Sequence, residues 1–128
     1  MRELEFLTPA IIEQLHADSL ALFGGSEGVR DRGLLESALA SAKNTRLYGG
    51  GDVFDIAASY AFHIAEAQAY LDGNKRTAMA AALTFLKGND VKLQIDELVI
   101  YDAMIAIAEK RMTKTGLAAI FRNRANDL

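Results

Sequence analysis

The chain has 128 residues, of which 51% are hydrophobic and 24% charged, a balance that predicts one globular domain over 1–128 and excludes wholesale disorder. It has no cysteine, which excludes a disulfide scaffold, a thiolate zinc site and a cysteine nucleophile. The net charge of −3 argues against a protein whose main affinity is for nucleic-acid phosphates, and the two histidines, His16 and His63, leave little room for a histidine-rich metal site.

The first two helices are predicted from a cap at the start of each and from apolar residues at helical spacing. Thr8 before Pro9 is a typical helix start, Gly24 a typical helix end, and Asp31 a second cap. The periodicity stops over 43–52, where three consecutive glycines predict a mobile loop. The residues expected to face the core are Ile11, Ile12, Leu15 and Leu22 in the first helix and Leu34, Leu35, Ala38 and Leu39 in the second.

A long helix, a tight loop and another helix are predicted for the centre of the chain. Asp52 is the cap of the first of these helices, Asp72-Gly73 interrupts the pattern, and Gly88 ends the second helix. Alanine is frequent on both sides of the loop, which favours close packing of the two helices. The apolar face of the first central helix comprises Val53, Ile56, Ala57, Tyr60, Ala61, Ile64 and Ala65, and that of the second spans residues 78–86.

The remainder predicts an extended connector and two more helices. Val91, Leu93 and Ile95 alternate too briefly for a strand, Asp96 is the next cap, and a last helix covers about 115–124. Strand-like alternation is nearly absent, so the predicted fold is all-α, a compact bundle of about six helices. The face predicted for the fifth helix comprises Leu98, Tyr101, Met104, Ile105 and Ala108.

Segment 68–77 (QAYLDGNKRT) carries the chemistry. The unpaired N–H groups and the dipole of a helix N-terminus favour anions, and Gly73 has no Cβ to keep a phosphate away. Lys75 and Arg76 place two cations where the dipole disfavours them, a conflict that a bound anion resolves. Asp72 adds an oxygen ligand suited to Mg²⁺, so the segment indicates a nucleotide–magnesium site. An ordinary turn followed by a solvated basic face is an alternative that the residues alone leave equally open.

This segment resembles the motif of the Fic superfamily, His-Pro-Phe-x-Asp/Glu-Gly-Asn-x-Arg, in its Doc (death-on-curing) branch, and residues 72–78 match closely. Flanking blocks at 28–38 and 80–89 also resemble the Doc pattern, so the resemblance covers about residues 7 to 95. It implies that Asp72 binds Mg²⁺ and that ATP or another nucleotide is the second cofactor. It further implies that the phosphates are bound by Gly73, Asn74, Lys75 and Arg76.

The resemblance implies a toxin that transfers a phosphoryl or nucleotidyl group to a protein hydroxyl. Lys75 is typical of the Doc branch, and Met79 stands where AMP-transferring members have a second arginine. The implied target is a translation factor such as elongation factor Tu, and the implied partner is an antitoxin of the Phd type. The residues implied to serve catalysis are Gln68, Asp72, Lys75 and Arg76.

Gln68 departs from the family, because it takes the position of the catalytic histidine. An amide has no useful basicity near pH 7, and general-base catalysis contributes about 10²–10⁴-fold, so we expect impaired or altered catalysis. His63 lies about 140° around the helix from Gln68 and should face elsewhere, as should Glu66. His16, in the first helix, is expected to be more remote still. Tyr70 replaces the family's phenylalanine and keeps an aromatic anchor.

Two other functions compete with the toxin enzyme. A Fic fold that has lost its chemistry could still bind nucleotide, antitoxin or target, and Gln68 is the feature that favours this. A nucleic-acid binder using Lys75, Arg76, Arg122 and Arg124 is disfavoured by the acidic balance. Loop 43–52 lies where Fic proteins have a flap that holds the target, and a plain flexible linker is an equal alternative. With neither a signal-peptide pattern nor a long apolar segment, a cytoplasmic protein is expected.

Overall fold

The computed structural model describes residues 4–94 and 96–125. These residues form six α-helices and, apart from two isolated bridges, no β-strand. The predicted all-α fold is confirmed, as is the number of helices. None of the described helices has both the length and the apolar character needed to cross a bilayer. In chain order the helices are α1 (Pro9–Phe23), α2 (Arg32–Leu47), α3 (Val53–Ala67), α4 (Asn74–Gly88), α5 (Glu97–Ala108) and α6 (Lys114–Asn123).

Helix α3 forms the centre of the bundle, in contact with α2, α4, α5 and α6. Its residues 56–61 are all buried, so this part of the helix is covered on every side. Ala57 and Ala61 of α3 and Ala81 and Ala82 of α4 are completely buried. Their small side chains let the two helices lie side by side, which fixes the loop that joins them against the core.

The N-terminus of α4 differs from those of the other five helices. Each of the other helices follows a residue whose side-chain oxygen accepts a backbone N–H of the first turn, which satisfies at least one unpaired donor. Helix α4 follows Gly73, which offers no capping side chain. The capping residues, of which the sequence predicts the first four, are Thr8, Asp31, Asp52, Asp96 and Thr113.

The loop after α2 is shorter than the sequence predicts, since the helix continues to Leu47 and residues 43–47 are helical. This end of α2 packs on α3 through small and polar side chains, so it has no apolar periodicity. The hydroxyl of Thr45 lies 3.0 Å from the carbonyl oxygen of Ser41 and 3.2 Å from the hydroxyl of Ser59 on α3. The loop proper comprises residues 48–52.

Four residues predicted to face the core are exposed, so the predicted core faces of the helices are partly wrong. Helix α1 buries His16 and Ser19 beside Ile12, and an apolar pattern cannot detect a face that includes polar residues. Helix α5 is apolar on most sides, so the spacing fits more than one face, and only Met104 belongs both to the predicted face and to the buried set. The exposed residues are Ile11, Leu22, Leu34 and Leu98.

The described part of the connector between α4 and α5 pairs with the residues that follow α6. Leu93 forms an isolated bridge with Ala125, and the N–H of Gln94 donates to the carbonyl oxygen of Arg124 at 2.7 Å. Val91 and Leu93 pack against the core. Ile95, the third residue of the predicted connector, lies outside the described residues.

Candidate nucleotide-binding site

A polar cleft of about 310 Å³ lies at the N-terminus of α4. It is enclosed by the C-terminal end of α1, the loop between α3 and α4, the first turn of α4, and one residue of α5. The structure thus brings together every predicted site residue except Gln68, which does not line it. The lining residues are Ser19, Phe23, Gly24, Gly25, Asp72, Gly73, Asn74, Lys75, Arg76 and Tyr101.

The first turn of α4 presents unpaired backbone donors to this cleft. Gly73 has a left-handed backbone with φ +78°, which glycine adopts without strain, and Thr77 makes the first helical bond to its carbonyl oxygen. The N–H groups of Asn74, Lys75 and Arg76 have no acceptor in the part of the chain that the structure describes. Such a helix end combines free donors with the positive end of the helix dipole and is suited to an anion.

The side chain of Asn74 closes the loop instead of lining the cleft with free polar groups. Its Oδ1 accepts the N–H of Tyr70 at 3.1 Å, and its Nδ2 donates to the carbonyl oxygen of Tyr70 at 2.9 Å. Both ends of the amide are therefore used within the loop. The resemblance implies that Asn74 binds phosphate, and with its side chain used in the loop the backbone N–H is left as its donor for an anion.

The carboxylate of Asp72 is exposed at the mouth of the cleft and is held by two backbone donors. Its Oδ1 accepts the N–H of Gly73 at 2.9 Å, and its Oδ2 accepts the N–H of Ser26 at 3.1 Å. No cluster of three acidic or histidine residues suited to a metal occurs within 4–94 and 96–125. Since Mg²⁺ is commonly bound by one or two carboxylates together with substrate phosphates, a single fixed carboxylate beside an anion site fits a metal that arrives with a nucleotide.

The guanidinium of Arg76 lies over two aromatic rings. It lies 3.7 Å from the ring centroid of Phe23 on α1 and 4.6 Å from that of Tyr101 on α5. Such cation–π contacts restrict the position of the guanidinium, whose N–H groups can bind a phosphate with two parallel hydrogen bonds. Sequence reasoning identified Arg76 but missed both rings; it assigned Tyr101 to the core face of its helix.

The segment before α2 forms the wall behind the motif loop, a contribution that sequence reasoning also missed. The N–H groups of Arg30 and Asp31 both donate to the carbonyl oxygen of Ala69, at 2.6 and 3.0 Å. The N–H of Leu71 donates to the carbonyl oxygen of Gly28 at 3.1 Å. This segment also contains Ser26, which binds Asp72. The resemblance of 28–38 to the Doc pattern was the signal that could have indicated this role.

His16 is not remote from the site, so that prediction is wrong. Its Nε2 lies 2.8 Å from the carbonyl oxygen of Asp72, and its ring stacks on the ring of Tyr70 with centroids 3.7 Å apart. The proximity arises because α1 packs against α4 and passes the loop that precedes it, a contact that spacing along the chain cannot reveal. Because a carbonyl engages Nε2, this nitrogen is not available as a base.

The remaining candidates for a base lie outside the cleft. Gln68 ends α3 in a left-handed conformation (φ +49°, ψ +48°) with an exposed side chain, and Glu66 is also exposed. His63 faces away, as predicted, and its Nε2 lies 3.2 Å from Nζ of Lys114 on α6. Burial and the Lys114 charge lower the pKa of His63, which favours the neutral ring.

Comparison with known proteins agrees with this geometry. The model of the Fic/DOC family matches residues 6–86. The chain is 47% identical over 85 residues to Toxin Doc of Mycolicibacterium smegmatis (strain ATCC 700084 / mc(2)155), and the match spans 64% of each chain, less than two thirds of that relative's length. It is 27% identical over 120 residues to Protein kinase doc of Escherichia phage P1, covering 93% of this chain and 94% of the relative. Since the family match covers more than half of its length, the chain belongs to the Fic/Doc family.

Proposed function

We propose that this chain is a Doc-type toxin that binds ATP with Mg²⁺ and transfers a phosphoryl group to a protein hydroxyl. The observation that carries the proposal is the uncapped N-terminus of α4, which adjoins the fixed carboxylate of Asp72 and the guanidinium of Arg76 in one cleft. The printed names of the two relatives, a toxin and a protein kinase, support it.

Each group of the cleft has a role in this proposal. The N–H groups at 74–76 and the guanidinium of Arg76 bind the phosphate oxygens, and the ammonium of Lys75 adds positive charge. Asp72 binds Mg²⁺, which when bound neutralises charge on the transferred phosphate. The buried hydroxyl of Ser19 lines the same cleft without a partner in the described part of the chain, and so offers a further hydrogen bond.

Gln68 limits the chemistry in this proposal, because no basic side chain takes its place among the residues that the structure describes. Its exposed amide can orient the attacking hydroxyl but cannot accept the proton, so transfer is slower by about 10²–10⁴-fold than with histidine. The same observation favours a second candidate function, an inactive Fic fold that binds nucleotide, antitoxin or target. By family likeness the proposed target is a translation factor of the elongation factor Tu class, and the proposed partner is a Phd-type antitoxin.

Transfer of radiolabelled γ-phosphate from ATP to elongation factor Tu, with Mg²⁺ present, tests the proposal. Asp72→Ala should abolish transfer, whereas Asp18→Ala, which changes an exposed carboxylate on α1 outside the cleft, should not. Gln68→His should increase transfer by two orders of magnitude or more. The calorimetric affinity for Mg²⁺ with ATP is measured on the same variants.

The outcomes separate the two functions. Transfer by the natural chain that is lost in Asp72→Ala supports the enzyme. Nucleotide binding without transfer, with transfer gained in Gln68→His, supports the binding module instead. A natural chain that binds no nucleotide under these conditions contradicts the enzyme and leaves only a module that binds antitoxin or target. Growth arrest on expression is a first screen for toxicity, and it needs the same variants because binding alone can also be toxic.

A further inference from the structure

We infer that His16 is a positioning residue that fixes the orientation of the peptide unit between Asp72 and Gly73; the inference rests on the nucleotide site proposed above. The imidazole is 7% exposed, and its Nε2 lies 2.8 Å from the carbonyl oxygen of Asp72. The imidazole ring stacks on the ring of Tyr70, with an angle of 10° between the two planes and 3.7 Å between the centroids. Donor and ring are therefore both held in place.

The hydrogen bond determines where both ends of this peptide unit point. A trans peptide is planar, and its C=O and N–H groups point in opposite directions. With the Asp72 oxygen directed at His16 on α1, the Gly73 N–H is directed away from α1, and it donates to Asp72 Oδ1 at 2.9 Å. The bond from His16 thus contributes to holding the carboxylate that would bind Mg²⁺.

The restraint matters because this peptide precedes a glycine. Gly73 has φ +78°, and glycine has comparable access to negative φ, so rotation of the whole peptide unit meets no Cβ on the Gly73 side. Such a rotation would remove the Gly73 N–H from the carboxylate and turn the Asp72 carbonyl oxygen toward the cleft. A carbonyl dipole there would repel the phosphates that the α4 N-terminus attracts. His16 opposes this rotation by holding the oxygen on the α1 side.

The same geometry identifies the tautomer of the ring. A carbonyl oxygen only accepts hydrogen bonds, so Nε2 of His16 must carry a hydrogen. In the neutral ring, Nδ1 then carries no hydrogen. Protonation of the ring leaves the Nε2–H group in place, so this restraint does not depend on the charge of His16.

Two substitutions separate the donor from the ring. His16→Phe keeps an aromatic ring for Tyr70 but removes the donor, whereas His16→Gln keeps an amide N–H donor of similar reach and removes the stacking. We expect His16→Phe to weaken the calorimetric affinity for ATP with Mg²⁺ about tenfold or more, and His16→Gln to stay within about threefold of the natural chain. Far-UV circular dichroism and thermal unfolding confirm that each variant is folded.

Three outcomes would overturn the inference. The first is an unchanged affinity for ATP with Mg²⁺ in a folded His16→Phe variant. The second is an equal loss of this affinity in both variants, and the third is a greater loss of it in His16→Gln. A nitrogen-15 NMR spectrum of the natural chain provides a test that needs no variant, since His16 must show hydrogen on Nε2 in its neutral form. A spectrum with hydrogen on Nδ1 alone would also overturn it. If the natural chain binds no ATP, the proposed function fails, but this NMR test still applies to His16.

Discussion

Gly25 lies against the carboxylate of Asp72, so adding one methyl group there should disturb the metal-binding position specifically. The residue has φ +126°, and a Cβ built on it would lie 2.9 Å from Asp72 Oδ2 and 2.9 Å from Leu20 Cδ2. The end of the leucine side chain can move aside. The carboxylate can move only by leaving the N–H of Ser26, which donates to that same Oδ2 at 3.1 Å.

Two effects make up the expected magnitude of Gly25→Ala. A residue other than glycine in this backbone region costs about 1–3 kcal/mol in stability. Losing the hydrogen bond from Ser26 to the carboxylate adds about 1 kcal/mol at this exposed position. The variant should remain folded, since domains are stable by about 5–15 kcal/mol. Its affinity for ATP with Mg²⁺ should fall about tenfold or more, because Asp72 no longer has its fixed position.

Gly50→Ala is the matched control. Gly50 also has a positive φ, +65°, but a Cβ on it would meet no atom within 4 Å, and the residue lies in loop 48–52 outside the cleft. It should lose stability from backbone strain while keeping the affinity of the natural chain. Urea unfolding gives the stability and calorimetry gives the affinity of both variants. A folded Gly25→Ala variant that binds as tightly as Gly50→Ala would refute the role of this loop in holding Asp72.

Three further predictions concern residues outside the cleft wall. Tyr70→Phe removes a buried hydroxyl with no partner in the described part of the chain, so the free energy of unfolding should stay equal or rise by about 1 kcal/mol, and a clear decrease would indicate that the hydroxyl is paired. Burial raises the pKa of Asp52, but hydrogen bonds from its helix N-terminus and from Arg122 outweigh burial and hold the pKa below its usual value. The stabilisation by the ionised Asp52 carboxylate is complete above about pH 4 and is lost as the pH falls through the lowered pKa. The stability difference between the natural chain and Arg122→Gln should therefore shrink from pH 5 to pH 2. A difference that stays constant over this range would contradict the prediction. Burial and the Lys114 charge lower the pKa of His63, so protonation of this ring opposes folding once the pH drops below about 6.5. The His63→Gln variant should therefore lose less stability than the natural chain between pH 7.5 and pH 5. The Lys114→Met variant should raise the pKa of His63 in an NMR titration.

Local sequence was sufficient for the starts of the first five helices and for the motif. Asp31 and Asp52 are caps because a short carboxylate at the residue before a helix can reach an N–H of the first turn, whatever the rest of the chain does. Gly73 ahead of two cations indicated an anion site for the same reason, since the donors of a helix N-terminus are local. The end of α2 was missed because Thr45 and its neighbours pack through polar groups, which have no apolar periodicity.

The sequence by itself determined the all-α class, four of the five caps, the helix N-terminus at Gly73 and the family. Only the tertiary structure placed Phe23 and Tyr101 beside Arg76, Ser26 against Asp72, and His16 against the motif loop. The physical reason is the range of the interactions. A cap or a glycine turn acts within about four residues, whereas these contacts join α1, α4 and α5 and exist only after the helices pack around α3.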